Sequence, residues 1–289
     1  MLGPTVLLLG GGYVLSRLAN ELEQGSFVIT SRDLTKIEDW RKKHYFAELC
    51  DTAIPDQIST IFEKHTAIDT VIDSIPPFSG EKDKTLGGVE NTCLSVNKSK
   101  AKRFFYLSTT GVFGISDGSW VDESTCCNPV SKKAVARLDS ENYYRNHLDS
   151  SIALTTFRLP AIYGPNRGLG IAIRSGRFLI PPVERFSNRI HVADLVEILS
   201  ASIRSSHLLP PILCVSDDLP APYDQVIEHY CNTFSFPKPE IASETQWLSE
   251  RMDHFRANAK VSNSLVKKTL GIELKYPSFK HGAGTEFSN

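Results

Sequence analysis

A chain of 289 residues, 41% hydrophobic and 22% charged, can bury a full core, and its length suits one large α/β domain or two lobes. Its formal net charge of -1 gives no global reason to expect nucleic acid or an anionic membrane as a partner, so a charged ligand must be held by a local patch. The six cysteines, at positions 50, 93, 126, 127, 214 and 231, have no Cys-x-x-Cys spacing, which fits neither a zinc site nor a disulfide framework and suits reduced thiols in a cytoplasmic protein.

The first predicted strand is Thr5 to Leu9. It is apolar enough to pass for a signal-peptide core, but it lacks a basic flank and runs straight into glycines, so neither a targeting segment nor a membrane span is expected. Further strands are predicted at Phe27 to Thr30, Phe46 to Leu49, Thr70 to Asp73, Phe104 to Leu107, Ala153 to Phe157 and Ile212 to Val215, each short and apolar or β-branched. Amphipathic helices are predicted between them at Val14 to Glu23, Leu34 to Lys43, Pro55 to Lys64, Lys84 to Asn97 and Lys132 to His147. This alternation predicts an α/β fold with a doubly wound parallel sheet. After Tyr163-Gly164-Pro165 the alternation stops, and arginine, glycine and proline become frequent. Residues 1–163 are therefore expected to form the main domain and 164–289 a smaller, mixed substrate lobe. Helices are still predicted there at Val192 to Ser202 and Tyr223 to Thr233, and Gly282 to Asn289 are expected to fray.

Gly10-Gly11-Gly12-Tyr13-Val14 follows the first strand and opens the first helix. Gly10 permits a tight turn, and Gly12 lets backbone amides approach a pyrophosphate, the Rossmann-type arrangement. The third glycine of the usual fingerprint is replaced by Leu15. Cofactor type is read after the second strand, where a carboxylate would accept from the ribose 2′-hydroxyl of NAD. Here stand Ser31 and Arg32, a hydroxyl and a planar guanidinium suited to a 2′-phosphate, so NADP is expected; Asp33 is the competing carboxylate if the register is shifted by one. Asp51, after the third strand, and Ser74 and Pro76, after the fourth, complete the expected cofactor-binding set with Tyr13, Val14 and Arg137.

Several short segments fall in a telling order: Ser74 to Pro77, Leu107 to Gly114, Asp122-Glu123, Pro129, Ser131, Glu141, Arg158 to Pro165, Arg189 to Asp194, Val261 to Asn263, Leu270-Gly271 and Tyr276 to Ser278. Together they make the chain resemble an atypical extended short-chain dehydrogenase/reductase of the NAD-dependent epimerase/dehydratase-like group. In that group a Ser or Thr, a Tyr and a Lys act together: the Tyr exchanges a proton with the substrate oxygen, the Lys lowers the phenol's pKa and holds the ribose, and the hydroxyl orients the substrate. By the resemblance the hydroxyl falls on Thr109, but the Tyr position holds Lys133 and the Lys position Arg137. Lys133 is open to three readings: a displaced acid, a substrate-binding cation, or a solvated helix residue. Tyr143 and Tyr144 lack a lysine four residues on and read as packing residues, and His191 reads as a structural histidine. The resemblance also implies a possible homodimer.

Between Arg158 and Arg189 lie Arg167, Arg174, Arg177 and Arg185, opposed only by Glu184. The excess reads either as a cleft for a small anionic substrate or as a solvated basic face. Arg174 and Arg177, three apart on an expected helix, are the substrate-binding candidates. No metal is expected. Two functions follow: an NADP-dependent oxidoreductase or epimerase-like enzyme acting on a small anionic carbonyl or alcohol, such as a nucleotide-sugar, or a catalytically silent NADP-binding redox sensor.

Overall fold

The computed structural model describes residues 3–77, 86–249 and 257–288. The fold is α/β, a Rossmann-type doubly wound sheet. Its first half runs β1 (Val6–Leu9), α1 (Leu15–Glu21), β2 (Phe27–Ser31), α2 (Leu34–Lys42), β3 (Phe46–Leu49), α3 (Gln57–Lys64), β4 (Thr70–Asp73), α4 (Gly87–Asn97) and β5 (Arg103–Thr109). Next come β6 (Trp120–Val121), α5 (Lys132–His147), β7 (Ala153–Leu159), β8 (Ala161–Tyr163), α6 (Leu169–Arg174), β9 (Phe186–Ser187), β10 (Arg189–His191), α7 (Val192–Arg204) and β11 (Ile212–Cys214). The chain closes with β12 (Ala221–Pro222), α8 (Tyr223–Phe234), α9 (Glu244–Trp247), β13 (Lys260–Val261), α10 (Ser264–Leu270) and α11 (Phe279–Gly282). The central sheet has the order β11-β7-β5-β4-β1-β2-β3. Strand β1 sits between β2 and β4, parallel to both, with Val6 opposite Phe27 on one side and Thr70 on the other. The order therefore reverses beside β1, where open α/β sheets place a ligand crevice.

The chain divides into two compact units, interleaved in sequence. The first comprises Met1–Ser108, Val135–Phe157 and Val196–Ile212; the second comprises Thr109–Ala134, Arg158–Leu195 and Leu213–Asn289. In the first unit Leu7, Leu9, Val28, Val71, Phe104 and Tyr106 from the sheet pack with Ile58 and Ile61 of α3, Val96 of α4 and Tyr144 of α5. These positions show why continuous apolar strand segments form here: both faces of the sheet are covered. Strand β3 departs from that rule, because it is the sheet's edge. Its Phe46 and Leu49 are exposed, while Glu48 binds Lys64 of α3 and His65, the residue that caps that helix.

The second unit has a core of Ile173, Val226, Ile227, Tyr230, Phe279 and Ala283. Its C-terminal segment corrects an expectation. Far from fraying, Ala283–Phe287 forms a 3-10 turn, and Glu286 is fully buried. Glu286 Oε2 accepts from the N–H groups of Gly170 (2.7 Å) and Ile171 (3.3 Å), and Oε1 accepts from the Tyr230 hydroxyl. Burial pushes this carboxyl up to about 7. A β-carbon on Gly168 would lie 2.2 Å from Glu286 Cδ, so only glycine fits there. The six cysteines are free thiols. Among the described residues no helix is long and apolar enough to cross a membrane, and no cluster of three or more His, Cys, Asp or Glu could hold a metal ion.

Candidate functional site

The glycine turn is shaped from below by β2. Thr30 Oγ1 donates to Leu8 O and accepts from Gly10 N–H (3.0 Å), while Gly11 N–H donates to Thr30 O (2.6 Å) and Gly12 N–H to Gly10 O (2.6 Å). The glycine amides are thus turned into the protein's own bonds. Gly10 has φ +85°, and a β-carbon on it would meet Ile75 Cγ1 at 2.8 Å; one on Gly11 would meet the Trp40 ring at 2.1 Å. Gly12 is different: a β-carbon there would find only Gly10 O, at 3.9 Å, so the backbone is open on that side. Tyr13 and Val14 follow, Val14 as the N-cap of α1, and Leu15, in place of the third glycine, is fully buried in the core.

At the end of β2, Ser31 Oγ accepts from Asp33 N–H, and Asp33 Oδ1 accepts from Thr35 and Lys36 N–H as the N-cap of α2. Asp33 thus gives one carboxylate oxygen to the cap of α2. Arg32 is largely exposed, with Nη1 3.9 Å from Asp51 Oδ2. At the end of β4, the Ser74 hydroxyl contacts Gly10 O (2.8 Å) and Leu9 O (3.1 Å), tying that turn to the glycines, and Pro76 lies exposed just beyond.

Arg137 of α5 uses Nη1 on the ends of β4 and β5: it donates to Leu107 O (2.9 Å), Tyr106 Oη (3.1 Å) and Ile75 O (3.2 Å). Asp73 lies in the same region, fully enclosed. Its Oδ1 accepts from Ile75 N–H and its Oδ2 from the Tyr144 hydroxyl (2.8 Å); burial raises its pKa, while those two bonds and the charge of Arg137 lower it. Tyr144 is thus a buried structural phenol. Ser108 Oγ, also buried, donates to Glu141 Oε1 at 2.5 Å. Sequence reasoning passed over Thr30, Trp40 and Asp73. The β-branched hydroxyl before Ser31 and the acid ending an apolar strand were the available signals.

In the second unit, Thr109 ends β5 and its hydroxyl accepts from Gly111 N–H (3.1 Å). Lys133 is exposed in the first turn of α5. The two substrate candidates do not share a helical face. Helix α6 stops at Arg174 with Ser175 as its cap, and Gly176 at φ +65° turns the chain, so Arg177 lies outside the helix. Arg167, Arg174 and Arg177 are exposed. Arg158 and Arg189 are buried instead, Arg158 over the Phe113 ring and Arg189 beside Tyr223 and Phe279. His191 has both ring nitrogens engaged, by Thr285 and by Ala193 N–H.

A doubly wound parallel sheet with a glycine turn between β1 and α1 defines the Rossmann-type class. Residues 6–180 match the NAD dependent epimerase/dehydratase family, and the chain belongs to that family. A conserved protein of unknown function from Silicibacter pomeroyi superposes with a TM-score of 0.79 at 26% identity, over 97% of each chain. The UDP-glucuronic acid 4-epimerase of Bacillus cereus, solved with NAD, superposes with a TM-score of 0.76 over 98% of this chain and 97% of that one; at 15% identity this is a likeness of fold. A 3-diazoavenalumate denitrifying reductase from Streptomyces sp. is 30% identical over 165 residues, 53% of this chain and 52% of that reductase, so the match spans about half of each.

Proposed function

We propose that this protein is an NADP(H)-dependent oxidoreductase or epimerase-like enzyme acting on a small anionic carbonyl or alcohol substrate of the nucleotide-sugar kind. The observation that carries the cofactor reading is the end of β2: Arg32 stands exposed there, while the nearest sequence acid, Asp33, caps helix α2 through Oδ1. A dinucleotide fits the open side of Gly12, where a side chain would otherwise stand. Gly12, Tyr13 and Val14, at the start of α1, would border the pyrophosphate, Ser31 and Arg32 would take the 2′-phosphate, and Asp51, Ser74 and Pro76 would border the nucleoside. The bound cofactor would supply the hydride chemistry. Thr109 would orient the substrate oxygen through its hydroxyl, Lys133, Arg174 and Arg177 would attract the anion, and Arg137 would fix the strand ends against which the nicotinamide ribose lies.

A second reading, a silent NADP-binding redox sensor, is favoured by one observation: Arg137 Nη1 is occupied by structural acceptors, and Lys133 is an exposed cation where a phenol would stand. NADPH oxidation with any member of a broad carbonyl panel would exclude it.

The test is calorimetric titration of the purified protein with NADP(H) and NAD(H), repeated on Arg32→Ala. NADP(H) is expected to bind more tightly, and the variant to lose about tenfold or more of that affinity while NAD(H) binding changes little, as loss of a charge-assisted contact requires. A variant that keeps its NADP preference would overturn the assignment.

A further inference from the structure

Ser31 and Leu49 are register partners in the parallel pair β2–β3, and Cys50 N–H extends the ladder to Ser31 O. Arg32 follows β2 opposite Cys50, and Asp51 is the next residue after Cys50, so both lie at the carboxyl ends of neighbouring strands, with Arg32 Nη1 3.9 Å from Asp51 Oδ2. Asp51 is held in place twice: its Oδ1 accepts from Ala53 N–H (3.0 Å), and its own N–H donates to Gln57 Oε1 (2.7 Å). Arg32 is the more exposed partner, with 72% of its side chain exposed against 34% for Asp51.

Resting on the dinucleotide reading above, we propose that Asp51 is a cofactor-selectivity residue: it competes with a ribose 2′-phosphate for Arg32 and so narrows the preference for NADP(H) over NAD(H). A 2′-phosphate carries a charge of about -1.5 to -2 at neutral pH. Placed on Arg32 it would lie well within one screening length of the Asp51 carboxylate, about 8 Å at physiological salt. It must displace Asp51 from the guanidinium and then meet its repulsion. The 2′-hydroxyl of NAD(H) does neither, so this competition falls on one cofactor only, whereas a contact of Asp51 with the nucleoside is common to both. Because the pair is exposed, the effect is modest.

The experiment is calorimetric titration of the whole chain with NADP+ and NAD+ for the wild type, Asp51→Asn, Arg32→Ala and the double variant, at low and physiological salt. Asparagine keeps the acceptor for Ala53 N–H, and an unchanged thermal midpoint verifies that the turn is kept. Asp51→Asn is expected to raise the affinity for NADP+ relative to NAD+ by about three- to tenfold at low salt, and by less at physiological salt. In the Arg32→Ala background the gain is expected to shrink. Equal change for both dinucleotides, or a lower NADP+ to NAD+ affinity ratio in Asp51→Asn, would overturn the inference while leaving the cofactor site standing. Failure of the wild type to bind either dinucleotide would overturn the site itself and this inference with it.

Discussion

Replacing Glu286 with alanine is expected to cost roughly 3–5 kcal/mol of stability, because each buried donor left without an acceptor costs about 1–3 kcal/mol. Three are orphaned at once: the N–H groups of Gly170 and Ile171 and the Tyr230 hydroxyl. Glu286→Gln keeps an acceptor for the amides and gains a donor for the phenol oxygen, so it is expected to remain folded and to differ from the wild type in pH dependence. The carboxyl is raised from an ordinary 4.5 to about 7 by burial, so the folded state holds a proton that the unfolded state has released. Its contribution is then fully present below about 4.5, declines as pH rises towards about 7, and is lost above that. Urea unfolding from pH 4.5 to 8 should show Glu286→Gln gaining on the wild type across that window. Asp217, also raised to about 7 by burial, keeps its own share of the slope in both proteins. A difference that stays flat over the range would mean that the carboxyl is ionised throughout.

Arg137→Ala is expected to cost about 2–3 kcal/mol, the range for hydrogen bonds made by a charged donor. Its Nη1 joins the ends of β4 and β5 through Ile75 O, Leu107 O and Tyr106 Oη, and it faces the buried Asp73. Without it the Asp73 carboxyl loses its favourable charge, and its pKa rises further. Arg137→Lys should recover most of the stability, since an ammonium carries three donors on one nitrogen. Thermal melts of the three proteins, with NADP(H) titrations on the folded variants, separate the roles. An alanine variant as stable as the wild type would remove the clip from consideration, and one that is destabilised yet binds dinucleotide normally would make Arg137 structural only.

Most of the first unit was legible because its strands are buried on both faces and so carry continuous apolar runs, as in Val6–Leu9, where every residue is buried. Strands β3 and β4 and helix α5 fall where the sequence placed them, the other predicted elements differ by a few residues at their ends, and short elements such as β6, β9, β12 and β13 were not foreseen. Local chemistry explains the differences. Helix α3 begins at Gln57 because Asp56, at φ +66°, still belongs to the turn. Part of the expected fourth helix, Lys84 and Thr85, lies outside the described residues. The glycine turn was legible because its need for positive φ and close approach leaves a mark in composition.

What was not legible depends on partners distant in sequence. Nothing near Glu286 announces that it will be buried against Gly170 and Tyr230, more than fifty residues away in each case. Nor does spacing reveal that Gly176 will end α6 and separate Arg174 from Arg177. The arginine-rich stretch read as one patch. In three dimensions it divides into buried Arg158 and Arg189, half-buried Arg185, and the exposed Arg167, Arg174 and Arg177.

The packing of Trp40 against Gly11 gives the turn an optical consequence. Trp40 is 8% exposed, whereas Trp120 is 59% exposed. The indole beside the turn therefore emits from dry surroundings, at shorter wavelength than its solvated counterpart. Because a single added carbon on Gly11 would collide with that ring, a ligand that presses the turn towards the ring must also shift the indole. The blue edge of the intrinsic fluorescence is thus a built-in, label-free gauge of the glycine turn. Trp40→Phe is expected to abolish a ligand-induced change there, and a change that survives the substitution would have its origin elsewhere.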